Sequence, residues 1–268
     1  MNAILQPASN RTVDPRAAEW RPGLTQAGLC YGEVFASSHE AAGAALALAL
    51  ALDRMQGGAP DPLGAASAER PWLWVQDAAA LRLTGRPYRP GLPLPLRHRL
   101  IHVAAKTPED ALFALEEGMR CRELAFVIGE LAGNPKALSF TASRRLSLAA
   151  ERHGVPLWLV RLDAQRDLGS ARLRWEARSA PSPPPRWNPQ APGSPSWHAE
   201  LFRARSHPPG EWILRDDAGH LTAAAPHSGD LAAFIHGRAN DTASHLMIED
   251  VFAAKANADG FTNTGWCS

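Results

Sequence analysis

The sequence predicts an α/β protein: a parallel sheet core wrapped by helices, followed by antiparallel strands and an irregular C-terminal tail. Three observations lead there. Between Tyr31 and Arg161, short β-branched or aromatic runs alternate with longer helical segments, the pattern of strands joined by helical crossovers. Those runs are near-continuously apolar, as strands buried on both faces must be. After Arg161 the texture changes to short alternating runs, which suit antiparallel strands.

Five runs read as the parallel strands: Gly32 to Ala36, Trp72 to Gln76, Leu100 to Val103, Leu124 to Ile128 and Val155 to Val160. A helix from His39 to Met55 follows the first; it is apolar almost all round, as a helix packed deep against a sheet is. A second helix begins at Thr107-Pro108-Glu109-Asp110, with a threonine N-cap, a proline at the first helical position and acids facing the positive end of the dipole. A third runs from Thr141 to His153 and stops at Gly154, with Pro156 beyond. Gly57 to Arg70 and Arg82 to Arg99 read as surface excursions. The later runs, Ala171 to Ser179, Trp197 to Arg205 and Glu211 to Asp216, read as antiparallel strands, with a proline-rich linker or hairpin loop at Ala180 to Pro195. The organisation expected is an N-terminal extension (residues 1–30), one α/β domain (31–216) and a tail (217–268) holding a short helix at 242–256.

Charge narrows the function classes. The chain of 268 residues has 28 basic and 27 acidic side chains, so no long-range field draws the whole molecule to nucleic acid or membrane. Only Lys106, Lys136 and Lys255 are lysines, a bias toward arginine that a GC-rich genome also produces. Cys30, Cys121 and Cys267 are widely spaced and fit neither a disulfide framework nor a zinc site; they read as reduced thiols of a cytoplasmic protein. Met1 to Trp20 lacks the apolar core of a signal peptide, and the longest apolar run, Ala41 to Leu52, is far short of the roughly 20 residues that span a bilayer.

A strand, a tight turn and a helix form the setting of a phosphate-binding loop. After the first strand, however, stand Ala36-Ser37-Ser38-His39-Glu40-Ala41-Ala42-Gly43, with no glycine opening the turn and no Gly-Lys-Ser/Thr closing it. The groups that neutralise triphosphate charge and hold magnesium are missing. Glu40, read as lying in the first helical turn, would repel phosphate; His39 reads as a cap or as a stand-in for the lysine. Glu130, at the end of the fourth strand, stands where such a protein places its magnesium acid, or is a plain strand-end residue. Asp77 reads as a helix N-cap or as an acid that polarises water. The sequence has no Gly-x-Ser-x-Gly elbow, no pair of carboxylates in a recognisable hydrolase context and no Cys/His ligand spacing, so the expectation is a protein without catalytic residues, cofactor or metal.

The order of pieces resembles the RecA superfamily and, within it, the ImuA family of RecA-like and SulA-like accessory factors. The resemblance lies in Gly32-Glu33-Val34-Phe35-Ala36, in Leu124-Ala125-Phe126-Val127-Ile128-Gly129-Glu130, and above all in the run from Thr141-Ala142-Ser143-Arg144-Arg145-Leu146 through His153-Gly154-Val155-Pro156. It continues through Ser170-Ala171-Arg172-Leu173-Arg174-Trp175, Glu200-Leu201 and Gly210-Glu211-Trp212, covering residues 32–214. What the resemblance implies is a non-catalytic role in DNA-damage-induced mutagenesis, the SOS response and translesion synthesis. The implied partners are an ImuB-like inactive Y-family polymerase and an error-prone C-family polymerase, with RecA as a further candidate and DNA reached through them. The alternatives are a SulA-like binder of a cell-division protein and an ATP-dependent RecA-like DNA-binding protein.

Candidate partner or DNA contacts follow from charge and exposure. Arg144 and Arg145 begin the charged face of the third helix, with Leu146, Leu148 and Ala149 expected inside. Arg172 and Arg174 share one strand face with Glu176 and Arg178, and Trp175 or Trp197 offers a stacking ring, though Leu173, Trp175 and Ala177 alternate toward the core. Met247, Val251 and Phe252 form the apolar face of the short tail helix, a docking motif for a groove on another protein. The plain alternative for each is a solvated face or packing against its own domain.

Overall fold

The structure, a computed structural model, describes residues 31–56, 69–185, 187–205, 207–217 and 219–226. Its centre is a nine-stranded sheet: β1 (Tyr31–Ala36), β2 (Trp72–Gln76), β3 (Leu100–Ala104), β4 (Val127–Ala132), β5 (Leu157–Leu162), β6 (Leu173–Ser179), β7 (Ser196–Ala204), β8 (Gly210–Asp217) and β9 (His220–Ala224). The order is β3-β2-β4-β5-β1-β6-β7-β8-β9. Neighbours from β3 to β6 are parallel, and those from β6 to β9 antiparallel. The protein is therefore a mixed α/β fold with a mostly parallel core.

Helices cover both faces, so β1, β2, β4 and β5 are buried twice, while the edge strand β3 leaves Ile101 exposed. On one face lie α1 (Ala42–Gln56), α2 (Ala78–Thr84) and α3 (Leu94–Arg97). They pack on Val34, Trp74, Val160 and Trp175. On the other lie α4 (Pro108–Arg120) and α5 (Phe140–His153), packed on Leu73, Val75, Val127 and Leu159. Leu46 and Leu50 of α1 are wholly buried, each contributing about 1.5–3 kcal/mol by removal from water. Caps fall where the side-chain chemistry puts them. Thr107 accepts from the Asp110 amide, Asp77 from the Ala80 amide, and Gly154 ends α5 in the left-handed region at φ 73°.

Several boundaries differ from the sequence reading. β4 starts at Val127, not Leu124, because the Leu124 amide closes a turn onto the Cys121 carbonyl, and the Ala125 amide donates to the Pro71 carbonyl just before β2. Pro156 has no amide to give the ladder, and β5 starts after it. α5 is capped by Ser139 and begins at Phe140. Arg82 to Arg99 is more than a surface excursion: it carries α3, buries Leu92 and Leu96, and its Leu96 carbonyl accepts from the Trp72 indole at 3.0 Å. β6 was expected to be antiparallel, but it pairs parallel with β1 and antiparallel only with β7. That arrangement forces the chain after β5 to return across the sheet before β6 can start, which residues 163–172 do without a helix. β9 lies past Asp217, where no strand was expected; a turn through Gly219 at φ 92° sets it beside β8, and Asp53 of α1 accepts its Leu221 amide at 2.9 Å.

Candidate functional site

The loop after β1 is closed by the chain's own acids. Residues 38–41 turn and bend before α1, which starts only at Ala42, so Glu40 does not lie in the first helical turn as the sequence suggested. Glu40 instead accepts the Ser179 amide at 2.9 Å. The Ser38 amide donates to the Asp163 carboxylate at 2.9 Å, and the Asp163 amide donates back to the Ala36 carbonyl at 3.0 Å. Asp163 sits at φ 50°, a left-handed conformation that aspartate tolerates better than most side chains. The His39 amide donates to the Ser37 hydroxyl at 3.2 Å. Gly43 is where the loop's helix touches the sheet: a Cβ there would lie 2.7 Å from that of Ala36 and 2.9 Å from a methyl of Val160.

Glu130 is neither a strand-end residue nor a free ligand. It sits inside β4 and is buried beneath α2. The Trp74 indole donates to it at 2.7 Å, and the Gln76 amide and Thr84 hydroxyl lie at 3.1 Å. Burial pushes its carboxyl above the ordinary range, against the pull of those hydrogen bonds. Gln76 in turn meets His102 at 2.8 Å, whose imidazole is held below its usual value first by burial and then by Arg86 and Arg89. Asp77 is the N-cap of α2, so its side chain is already engaged.

On the opposite face, residues 163–172 act as a strap over charged side chains of β1, β5 and β6. Glu33 and Arg174 are buried and paired at 2.6 Å, with Arg161 at 3.9 Å and the Tyr31 hydroxyl donating at 2.9 Å. Asp167 of the strap pairs with Arg161 at 3.2 Å and Arg174 at 3.3 Å. Both guanidinium groups stand over the Phe35 ring, at 5.3 and 4.9 Å from its centroid. Arg166 is clamped between Glu176 and Glu200 and lies over Phe202 at 4.1 Å. A ten-residue loop offers little apolar surface, and paired charges fill the space that a crossover helix would fill with aliphatic side chains.

Burial raises the Asp167 carboxyl, but the Arg161 guanidinium beside it, helped by Asn134 and Arg174, more than reverses this and holds it below its ordinary 3.8. For Glu176, burial likewise opposes and the Arg166 and Arg178 charges win, holding it below 4.5. Depressed carboxylates stabilise the fold fully above their unfolded values and lose that contribution as pH falls through the folded ones. The strap is therefore expected to keep its amide protection at neutral pH and to lose it below about pH 4, ahead of the sheet strands. Hydrogen exchange measured across an acid series checks this; equal protection of 163–172 at pH 3 and pH 7 refutes it.

The basic candidates separate into different environments. Arg174 is buried in the ion-pair cluster and cannot meet DNA or a partner, because its guanidinium is bonded to Glu33 and to the Asp167 carbonyl and carboxylate of the strap. Trp175 and Trp197 are buried and offer no stacking face. Arg145 pairs with Glu116 of α4. Arg144 is exposed, and Arg172, bonded to Glu151 at 2.7 Å, shares with it a groove of about 530 Å³. Leu148, expected inside, is 53% exposed on that groove because the apolar stripe of α5 runs through Leu146 and Ala150. Met247, Val251 and Phe252 lie outside the described residues, as do Cys30 and Cys267. Two residues that sequence reasoning missed are Asp163, whose partner Ser38 lies 125 residues away, and Asp167, whose partners Arg161 and Arg174 are near in sequence but are brought to it only by the path of the strap between β5 and β6.

No family model matches the chain, and no curated protein matches it. Among the described residues, no group of histidine, cysteine, aspartate or glutamate is placed to hold a metal ion, and no helix is long and apolar enough to cross a membrane.

Proposed function

We propose that the chain is a cytoplasmic, non-catalytic RecA-like accessory protein of DNA-damage-induced mutagenesis, one that assembles an ImuB-like inactive polymerase and an error-prone C-family polymerase. The RecA-like reading is supported by the order of elements, with the first strand central, the fifth and sixth beside it, and antiparallel strands added at one edge. The partner role rests on the resemblance of residues 32–214 to the ImuA family.

The observation that carries the non-catalytic part is the Asp163 carboxylate on the Ser38 amide. A phosphate would need that amide and would meet a negative charge already in place. No lysine stands in the loop to offset the repulsion, and Glu130, at the place of a magnesium acid, is spent on internal hydrogen bonds.

A thermal-shift titration with magnesium-ATP tests this part. A ligand at about 100 times its dissociation constant would stabilise the folded state by roughly 2.7 kcal/mol, and the expected result is no shift at millimolar nucleotide. Tightening at micromolar ATP would overturn the reading. Co-purification of the three proteins from a reconstituted mixture tests the partner part: a ternary complex is expected, and elution of the chain alone refutes it.

A further inference from the structure

The groove of about 530 Å³ beside α5 has a lining that points to a ligand. Along α5 it exposes Phe140, Arg144 and Leu148, and its far wall holds Arg172, Arg203 and Arg205 at the ends of β6 and β7. Phe140 is 52% and Leu148 53% exposed, so two apolar ledges flank the guanidinium groups. Glu151 is the one acid of the lining, and it is bonded to Arg172 and to the Ser147 hydroxyl. Four guanidinium groups against one carboxylate leave three positive charges uncompensated.

We infer that this groove binds a short acidic segment of a partner protein that carries an apolar side chain between its carboxylates. The inference deepens the assembly role proposed above and rests on it. Phe140 to Glu151 spans three helical turns, about 16 Å, which a roughly five-residue extended peptide matches. Two or three carboxylates on such a peptide balance the excess charge, and arginine takes carboxylates through paired hydrogen bonds. Single-stranded nucleic acid fits less well. It stacks successive bases on aromatic rings, and the groove offers only Phe140. Its affinity grows with the number of phosphates neutralised, and a chain of net charge +1 adds no net positive charge beyond the groove itself, because its other basic residues are matched by acids.

The test is an NMR titration of the full chain with a short acetylated and amidated peptide of alternating acidic and apolar residues. The same peptide with lysine in place of each acid, and an oligothymidylate, serve as comparisons. Expected are shifts confined to residues 140–151, 170–172 and 203–205 with the acidic peptide alone, weakened at least tenfold by Arg144→Glu and by Arg205→Glu. Arg82→Glu, on the far side of the fold, should leave binding unchanged, and unaltered shifts of the core strands verify that each variant is folded. Absence of groove shifts with the acidic peptide overturns the proposal, as does tighter binding of the oligothymidylate there or persistence of binding in both charge-reversed variants. Elution of the chain alone in the co-purification would sink the assembly reading without moving these shifts, so the two failures are distinguishable.

Discussion

Replacing Arg174 by methionine is expected to destabilise the protein by about 3–5 kcal/mol, because it leaves the buried Glu33 carboxylate without its nearest cation. Arg161 remains, but at 3.9 Å and already bonded to Asp167. The double variant Glu33→Gln with Arg174→Met removes both charges and should recover most of the loss, since a neutral amide still accepts from the Tyr31 hydroxyl and the desolvation cost of the pair disappears. Urea unfolding of the two single variants and the double completes the cycle. A single Arg174→Met variant losing less than about 1 kcal/mol would mean that the strap opens readily enough for water to solvate Glu33.

The second large effect is expected at Gly43. Glycine in a helix ordinarily costs about 1 kcal/mol relative to alanine, so adding a side chain there should stabilise an isolated helix. Here the added Cβ meets Ala36 and Val160 at under 3.0 Å, and neither neighbour is a long side chain that can swing aside. Overpacking of this kind costs about 1–3 kcal/mol, so Gly43→Val is expected to destabilise, with the packing term exceeding the propensity gain. Thermal denaturation checks the sign. A raised midpoint would show that the start of α1 can lift from the sheet without cost.

What was legible in the sequence follows the range of the forces involved. Thr107, Asp77 and Gly154 were readable because a cap bonds an amide a few residues away. The buried strands were readable because apolar runs of that length have nowhere else to go. The starts of β4 and β5 were misplaced because Leu124 and Val155 are as apolar as the strands they precede; only the hydrogen bonds of the turn at Cys121 and the missing amide of Pro156 separate them.

The functional reading divides in the same way. The missing glycines and lysine after β1 could be seen directly in Ala36 to Gly43, whereas the carboxylate that occupies the loop comes from Asp163, some 125 residues downstream of Ser38. Arg144 and Arg172 were visible as charges, and Arg174 looked identical to them in sequence. The sheet register then placed Arg174 beside Glu33 in the interior and left Arg144 and Arg172 along one groove. By itself the sequence determined the α/β class, the helix caps at Asp77, Thr107 and Gly154 and the absence of a phosphate-loop motif, all of which depend on composition and near neighbours. Which charges are buried and which face outward was decided only by the tertiary structure, because Arg174 meets Glu33 of β1, 141 residues away, in the interior, whereas Arg172 meets Glu151 of α5 at the surface.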